Sequence, residues 1–99
     1  MSKPQREEIL EILRRHKEML AMRYGVTVLG LFGSVARDDA CDTSDVDILY
    51  DTIDPNLYRT VRMKLELEAL LGCPVDVLRW HDGLHPRLKQ RIERDACYV

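Results

Sequence analysis

Apolar and polar residues follow two different spacings along this chain, one typical of helices and one typical of strands. Near the N-terminus, apolar side chains recur every three to four residues, as on one face of a helix, at Ile9, Leu13 and Leu20. Ser2 and Gln5 have the spacing of a capping box, and Gly25 is a typical helix stop. The pattern predicts a first helix over residues 2–24.

Three short apolar runs have the composition of buried strands. Residues 26–32 are β-branched and apolar, and the run is too short for a typical helix before Gly33. Residues 45–50 and 73–78 alternate apolar and polar positions. We therefore predict a strand at each of these three places.

A third helix is predicted over residues 56–71, with Asp54 as its N-cap, Pro55 in its first turn and Gly72 as its stop. Its apolar residues fall on two lines along the helix, and Met63 and the leucines of both lines are expected in the core. One line is Leu57, Val61 and Leu65, and the other is Met63, Leu67, Leu70 and Leu71. A last helix follows Pro86. Residues 1–99 are thus predicted to form one domain of α/β (α+β) class, a small mixed sheet with packed helices in the order α-β-α-β-α-β-α.

The segment between the first two strands carries the candidate chemistry. Asp45 and Asp47 are two apart, so on a strand both carboxylates point to one face. Two close carboxylates are costly unless a cation lies between them or one is protonated, and Mg²⁺ prefers such oxygen ligands. Gly33 allows close approach of the backbone to a ligand, and Ser34 opens a short predicted helix whose N–H groups suit phosphate.

This segment resembles the signature of the DNA polymerase beta-type nucleotidyltransferase superfamily: Gly33 and Ser34, ten residues, then Asp45-x-Asp47. A finer pattern resembles the minimal nucleotidyltransferases of prokaryotes. Residues 35–37 read Val-Ala-Arg after the serine, and Ser44 precedes the first aspartate. The resemblance extends from about Val26 to the C-terminus.

The resemblance implies the polymerase beta-like nucleotidyltransferase fold and transfer of a nucleoside monophosphate, with ATP as the expected substrate. Asp45, Asp47 and Asp76 would be catalytic and hold two Mg²⁺ ions. Asp76 interrupts the alternation of the third strand, and a lone carboxylate in a short strand otherwise suits only the rim of a sheet.

Nucleotide phosphates would contact Gly33, Ser34 and Arg37 in this family. An alternative for Arg37 is a structural ion pair with the acidic residues that follow it. Family members commonly have glycine after the arginine, where this chain has Asp38, which leaves the course of the loop open.

Composition excludes several classes of protein. The net charge of −2 provides no overall basic field for nucleic acid, so direct nucleic-acid binding is not expected. No apolar run approaches the length of a membrane span. The three cysteines, Cys41, Cys73 and Cys97, have no zinc-type spacing and suggest reduced thiols in the cytoplasm.

In the family that the chain resembles, the partner is a HEPN-domain toxin. The minimal nucleotidyltransferase is its antitoxin in a type VII-like pair and transfers AMP to a toxin tyrosine. Two alternatives remain open: an antitoxin that only binds and masks the toxin, and a nucleotidyltransferase acting on a small molecule. The residues themselves specify neither the nucleotide nor the acceptor nor the oligomeric state.

Overall fold

A computed structural model describes residues 5–37 and 45–99 of the chain. Eight elements follow one another: α1 (Arg6–Tyr24), β1 (Val26–Phe32), α2 (Gly33–Ala36), β2 (Val46–Thr52), α3 (Leu57–Leu71), β3 (Val75–Arg79), α4 (Pro86–Asp95) and β4 (Cys97–Tyr98). The order matches the predicted one, and the two-residue strand β4 is added at its end.

The strands form one mixed sheet in the order β3-β2-β1-β4. β1 is antiparallel to both β2 and β4, whereas β2 and β3 are parallel. The parallel pair is connected through α3, as a crossover between parallel strands requires. The predicted class, a small mixed sheet with packed helices, is confirmed.

The main core lies between one face of the sheet and the helices α1 and α3. It includes Leu13 and Leu20 of α1, Ile48 of β2 and Met63 and Leu67 of α3, all nearly inaccessible to solvent. Because Ile48 alternates with its neighbours along β2, the residues before and after it face the other side of the sheet. That second face carries the candidate chemistry.

Both long helices begin later than the sequence pattern predicts. In α1 the N-cap is Gln5, and the predicted capping residue Ser2 lies outside the described residues. In α3 the N-cap is Asn56, whose side-chain oxygen accepts a hydrogen bond from the backbone N–H of Arg59 at 3.2 Å. The prediction of Asp54 as the cap was wrong, because Asn56 makes the capping bond itself.

Part of the predicted core was also wrong. On α3, Leu57 and Leu65 expose 82% and 56% of their surface, and Val61 exposes 47%. This line of residues points away from the sheet, while the line through Met63, Leu67 and Leu71 is buried. Sequence periodicity detects both lines but cannot say which one meets the sheet.

No helix of the described residues is both long enough and apolar enough to span a membrane.

Candidate active site

Two aspartates on neighbouring strands stand side by side on the open face of the sheet. Asp47 of β2 pairs with Asp76 of the parallel strand β3 and with Phe32 of the antiparallel strand β1. Residues paired across adjacent strands project from the same face, with about 4.8 Å between the strands. The register therefore brings together two carboxylates that are far apart in the sequence.

Asp45 lies one residue before β2 and is exposed. The N–H of Val46 already bonds the carbonyl oxygen of Pro74 at 3.2 Å, so pairing with the β3 side begins at this point. Alternation places Asp45 on the same side of the chain as Asp47, while Val46 and Ile48 are fully buried on the other side. All three predicted carboxylate positions thus lie at one edge of one face.

The end of β1 closes this edge, because β1 runs antiparallel to β2. Gly33 follows the strand with φ of 78°, a conformation that side chains disfavour. A Cβ atom at Gly33 would overlap Oδ2 of Asp47 and would approach its Cγ to 3.1 Å. Two features therefore favour glycine at position 33: its left-handed backbone conformation, and the Asp47 carboxylate that occupies the space of a side chain.

Ser34 lies in the four-residue helix α2, which begins at Gly33. Val35 and Ala36 of this helix are buried, which fixes the turn against the body of the protein. Ser34 itself is half-buried. A short helix was predicted to open at Ser34, and the structure has one that begins one residue earlier, at Gly33. Ser34 therefore directly follows the glycine that lies beside Asp47.

Arg37 ends α2 and reaches a residue 58 positions further along the chain. Its Nη1 donates to Oδ2 of Asp95, the last residue of α4, at 3.0 Å. Asp95 also accepts from Nε of Arg94 at 3.0 Å. The hydrogen bond from Arg94, followed by that from Arg37, lowers the pKa of Asp95 below its usual value. The acidic loop, which was the predicted alternative partner of Arg37, lies outside the described residues.

The side chains present suit a magnesium ion. All three aspartates offer carboxylate oxygens, the ligand class of Mg²⁺, and the missing side chain of Gly33 leaves room for the Asp47 carboxylate. In residues 5–37 and 45–99, no three acidic, histidine or cysteine side chains already converge as a metal cluster. The backbone thus sets the ligand positions, with Asp45 and Asp76 exposed and Asp47 half-buried.

An apolar groove of about 440 Å³ lies further along the same face of the sheet. It includes Leu49, two residues beyond Asp47 on β2, and its lining is Thr27, Val28, Leu29, Leu49, Trp80, Tyr98 and Val99. Trp80 stands at its rim, with Nζ of Lys89 at 5.8 Å from the centre of its ring. Sequence reasoning missed this groove because β4, which supplies Tyr98, is only two residues long.

The model of the family "Polymerase beta, Nucleotidyltransferase" matches residues 7–98 of this chain. A curated relative, the protein adenylyltransferase MntA of Thermococcus cleftensis, is 40% identical over 94 residues, covering 94% of each chain. A candidate protein adenylyltransferase of Methanocaldococcus jannaschii is 40% identical over 93 residues, covering 93% of this chain and 95% of its own.

Solved structures share the same architecture. A candidate minimal nucleotidyltransferase superposes with a TM-score of 0.71 at 39% identity, covering 91% of this chain and 95% of its own. Two more distant structures show likeness of fold alone. One is a toxin-antitoxin complex with AMP-PNP, at 19% identity and a TM-score of 0.67 over 96% of this chain and 72% of its own. The other is a tri-AMPylated HEPN toxin of Shewanella oneidensis with its MNT antitoxin. It has 18% identity and a TM-score of 0.58, covering 94% of this chain and 66% of its own.

Proposed function

We propose that this chain, which belongs to the polymerase beta nucleotidyltransferase family and to its minimal MNT antitoxin branch, transfers AMP from ATP to a tyrosine hydroxyl of a HEPN-domain toxin. The chain is a nucleotidyltransferase, and the relatives that match over almost its whole length are named protein adenylyltransferases. The nucleotide, the tyrosine acceptor and the dependence on Mg²⁺ are the finer parts of the proposal.

The observation that carries the proposal is the contact between Gly33 and Asp47. The Asp47 carboxylate lies against the turn at Gly33, in the space that a Cβ atom at this position would occupy. A site that brings a phosphate-binding backbone against a metal-binding carboxylate requires this arrangement. Masking of a toxin by simple contact does not require it.

Asp45, Asp47 and Asp76 would hold Mg²⁺, with two ions as the family expectation. When bound, the ions neutralise the negative charge of the triphosphate and polarise its phosphorus–oxygen bonds. The acceptor and the nucleotide would then lie on one face of the sheet, so that their reacting atoms meet without further ordering.

Asp76 is exposed and stands on the strand at the edge of the sheet, beside Asp47. This position suits a base that accepts the proton of the acceptor hydroxyl. The hydroxyl oxygen then forms a bond to the α-phosphorus, the bond between that phosphorus and the bridging oxygen of the β-phosphate breaks, and diphosphate leaves with the electron pair.

Gly33 and Ser34 lie on the opposite side of Asp47 from Asp76, because Gly33 follows β1 and β2 separates β1 from β3. We assign the β- and γ-phosphates to this side. Arg37 would act from the same short helix, where its contact with Asp95 holds the guanidinium in place and its side chain stays 40% exposed. The acceptor and the leaving group thus approach from opposite sides of the carboxylates.

The partner is inferred from the structure of similar fold in which an MNT antitoxin is bound to a HEPN toxin of Shewanella oneidensis. The apolar groove, which reaches Leu49 two residues beyond Asp47, supplies surface for a substrate on the same face of the sheet.

The test is reaction of this protein with the purified HEPN-domain protein, ATP and MgCl₂, followed by tandem mass spectrometry of the digested product. We expect AMP on a tyrosine, and no product when EDTA replaces MgCl₂. AMP transfer to a small molecule but to no protein residue would favour the small-molecule alternative. Neutralisation of the toxin without any modification would favour masking.

A further inference from the structure

Helix α3 has a second apolar face that nothing in the described part of the chain covers. This outer α3 face consists of Leu57, Tyr58, Val61 and Leu65, which expose 82%, 71%, 47% and 56% of their surface. Single exposed apolar residues are ordinary, but contiguous apolar patches on small proteins mark interaction sites. Leu57, Val61 and Leu65 are spaced four residues apart and form a ridge about 12 Å long, roughly two helical turns.

One edge of this ridge is rich in arginine. Arg62 lies over the ring of Tyr58, with 5.9 Å between the guanidinium carbon and the ring centre. Arg59 contacts Asp54 at 3.2 Å, and Arg23 of α1 contacts Glu66 at 2.6 Å. Within residues 5–37 and 45–99, Arg62 makes no ion pair with a carboxylate.

A shallow depression of about 370 Å³ follows this edge, and its lining contains three arginines and two tyrosines and no acidic residue: Arg23, Tyr24, Tyr58, Arg59 and Arg62. Tyrosine and arginine are the residue types that most often dominate binding energy at protein interfaces. The depression therefore adds positive charge and aromatic surface directly beside the apolar ridge.

We propose that the outer α3 face docks a helix of a partner protein whose apolar ridge is flanked by acidic side chains. The apolar ridge of the partner helix packs beside the ridge formed by Leu57, Val61 and Leu65. Carboxylates on its flank meet Arg62 and Arg59, which gives the contact its charge complementarity. The partner's helix completes the ion pair that Arg62 lacks.

A second copy of this chain fits less well. A two-fold axis through Val61, the midpoint of the ridge, brings Arg62 of each copy next to the other, and like charges at an interface are unfavourable. Nucleic acid fits less well too, because the centre of the surface is apolar and only three arginines, two of them already paired, border it.

The outer α3 face and the carboxylates lie on opposite sides of the protein. The inner residues Met63 and Leu67 pack with Ile48 of β2, whereas Asp47 points to the other face of the sheet. A partner helix on α3 therefore leaves the candidate active site open. Docking and chemistry are separable in this protein.

This inference rests on the proposed partnership with a HEPN-domain protein, which serves as the probe. Its dissociation constant is measured by isothermal titration calorimetry for the wild type, for the double variant Leu57→Ser/Leu65→Ser and for Arg62→Glu. The matched control is Arg91→Glu, the same charge change on the exposed side of α4. Circular dichroism and the melting temperature confirm that each variant folds.

We expect both outer-face variants to bind at least tenfold more weakly and the control to bind within twofold of the wild type. The chemically inactive Asp45→Asn/Asp47→Asn variant should bind as the wild type does. Wild-type affinity of Leu57→Ser/Leu65→Ser would overturn the inference. Two other results would also overturn it: dimerisation of the wild type alone that Leu57→Ser/Leu65→Ser abolishes, or binding of an RNA oligonucleotide that Arg62→Glu abolishes.

Failure of this inference is distinct from failure of the proposed function. If the outer-face variants bind and modify the HEPN-domain protein as the wild type does, only the docking surface is wrong. If the wild type neither binds nor modifies that protein, the partnership itself is wrong and the docking inference falls with it.

Discussion

At the scale of single residues, the closest fit in the candidate site is between Gly33 and Asp47. Gly33 has a left-handed backbone, and its missing side chain leaves the space that the Asp47 carboxylate occupies. Gly72 at the end of α3 has a similar φ of 70°, but nothing lies within 4 Å of the position of its Cβ. Both glycines adopt the left-handed backbone conformation, but only Gly33 has a side chain, that of Asp47, beside the position of its Cβ.

Replacement of each glycine by alanine separates the two effects. Both Gly33→Ala and Gly72→Ala should lower the free energy of unfolding, by about 1–2 kcal/mol for the left-handed backbone. Only Gly33→Ala should also abolish AMP transfer, because its methyl group displaces Asp47. Urea denaturation and a transfer assay measure the two quantities. Full activity of Gly33→Ala would show that the carboxylate has room to move without losing its function.

A second prediction concerns Asp76, whose role the family resemblance implies and whose register places it beside Asp47. Asp76→Asn should reduce the rate of AMP transfer by roughly 10²-fold or more, since it removes both a metal ligand and a base. Asp51→Asn is the matched control, as Asp51 lies on β2 on the same face as Asp47 but beside Arg79. The control should keep its rate within a few-fold. An equal loss of the AMP-transfer rate in the two variants would contradict the role assigned to Asp76.

Sequence alone predicted the aspartates and the Gly-Ser pair as candidates for the site, because alternation and fixed spacing are visible in one dimension. It could not identify the partner of Arg37, since Asp95 is 58 residues away and meets it only through the packing of α4 against α2. Nor could it show that the site glycine contacts Asp47. Those contacts depend on tertiary register, which no local pattern encodes.

At the scale of elements, α4 is tied to α2 by the ion pair between Asp95 and Arg37. The pKa of Asp95 is lowered in the folded protein, first by the hydrogen bond from Arg94 and then by Arg37. A carboxyl with a lowered folded pKa stabilises the fold above its unfolded value, about 3.9. That contribution is lost as the pH falls through the folded pKa.

The free energy of unfolding should therefore depend on pH through Asp95. The wild type should exceed Asp95→Asn in stability at about pH 6, and the difference should shrink as the pH falls below about 4. Chemical denaturation of both proteins across this range measures it. A difference that does not change with pH would mean that Asp95 contributes through packing and not through its charge.

The start of α3 gives a further prediction. Asn56→Ala should lower the free energy of unfolding by about 1 kcal/mol, because it removes the oxygen that caps the N–H of Arg59. Asp54→Ala should cost less than about 0.5 kcal/mol, since among the described residues the Asp54 side chain makes only an exposed ion pair with Arg59. The reverse order in thermal or urea unfolding would restore Asp54 as the cap. Sequence rules chose Asp54 because Pro55 follows it, and the adjacent asparagine competes for the same position.

At the scale of the whole molecule, the sheet separates two surfaces with different chemistry. Its open face carries the aspartates and the apolar groove, and α1 and α3 cover its other face. The sequence predicted the order of elements and the class correctly because helical and strand periodicities differ. It placed Leu57 and Leu65 in the core because an apolar line on a helix looks the same whether the sheet or a partner covers it.

The central claim is that the three aspartates catalyse AMP transfer to a HEPN-domain protein. The most direct measurement is the intact mass of that protein after co-expression with the wild type or with Asp45→Asn/Asp47→Asn. Additions the size of AMP with the wild type alone are predicted. No addition with either protein, together with a stable complex in both cases, would contradict the claim and leave masking as the function.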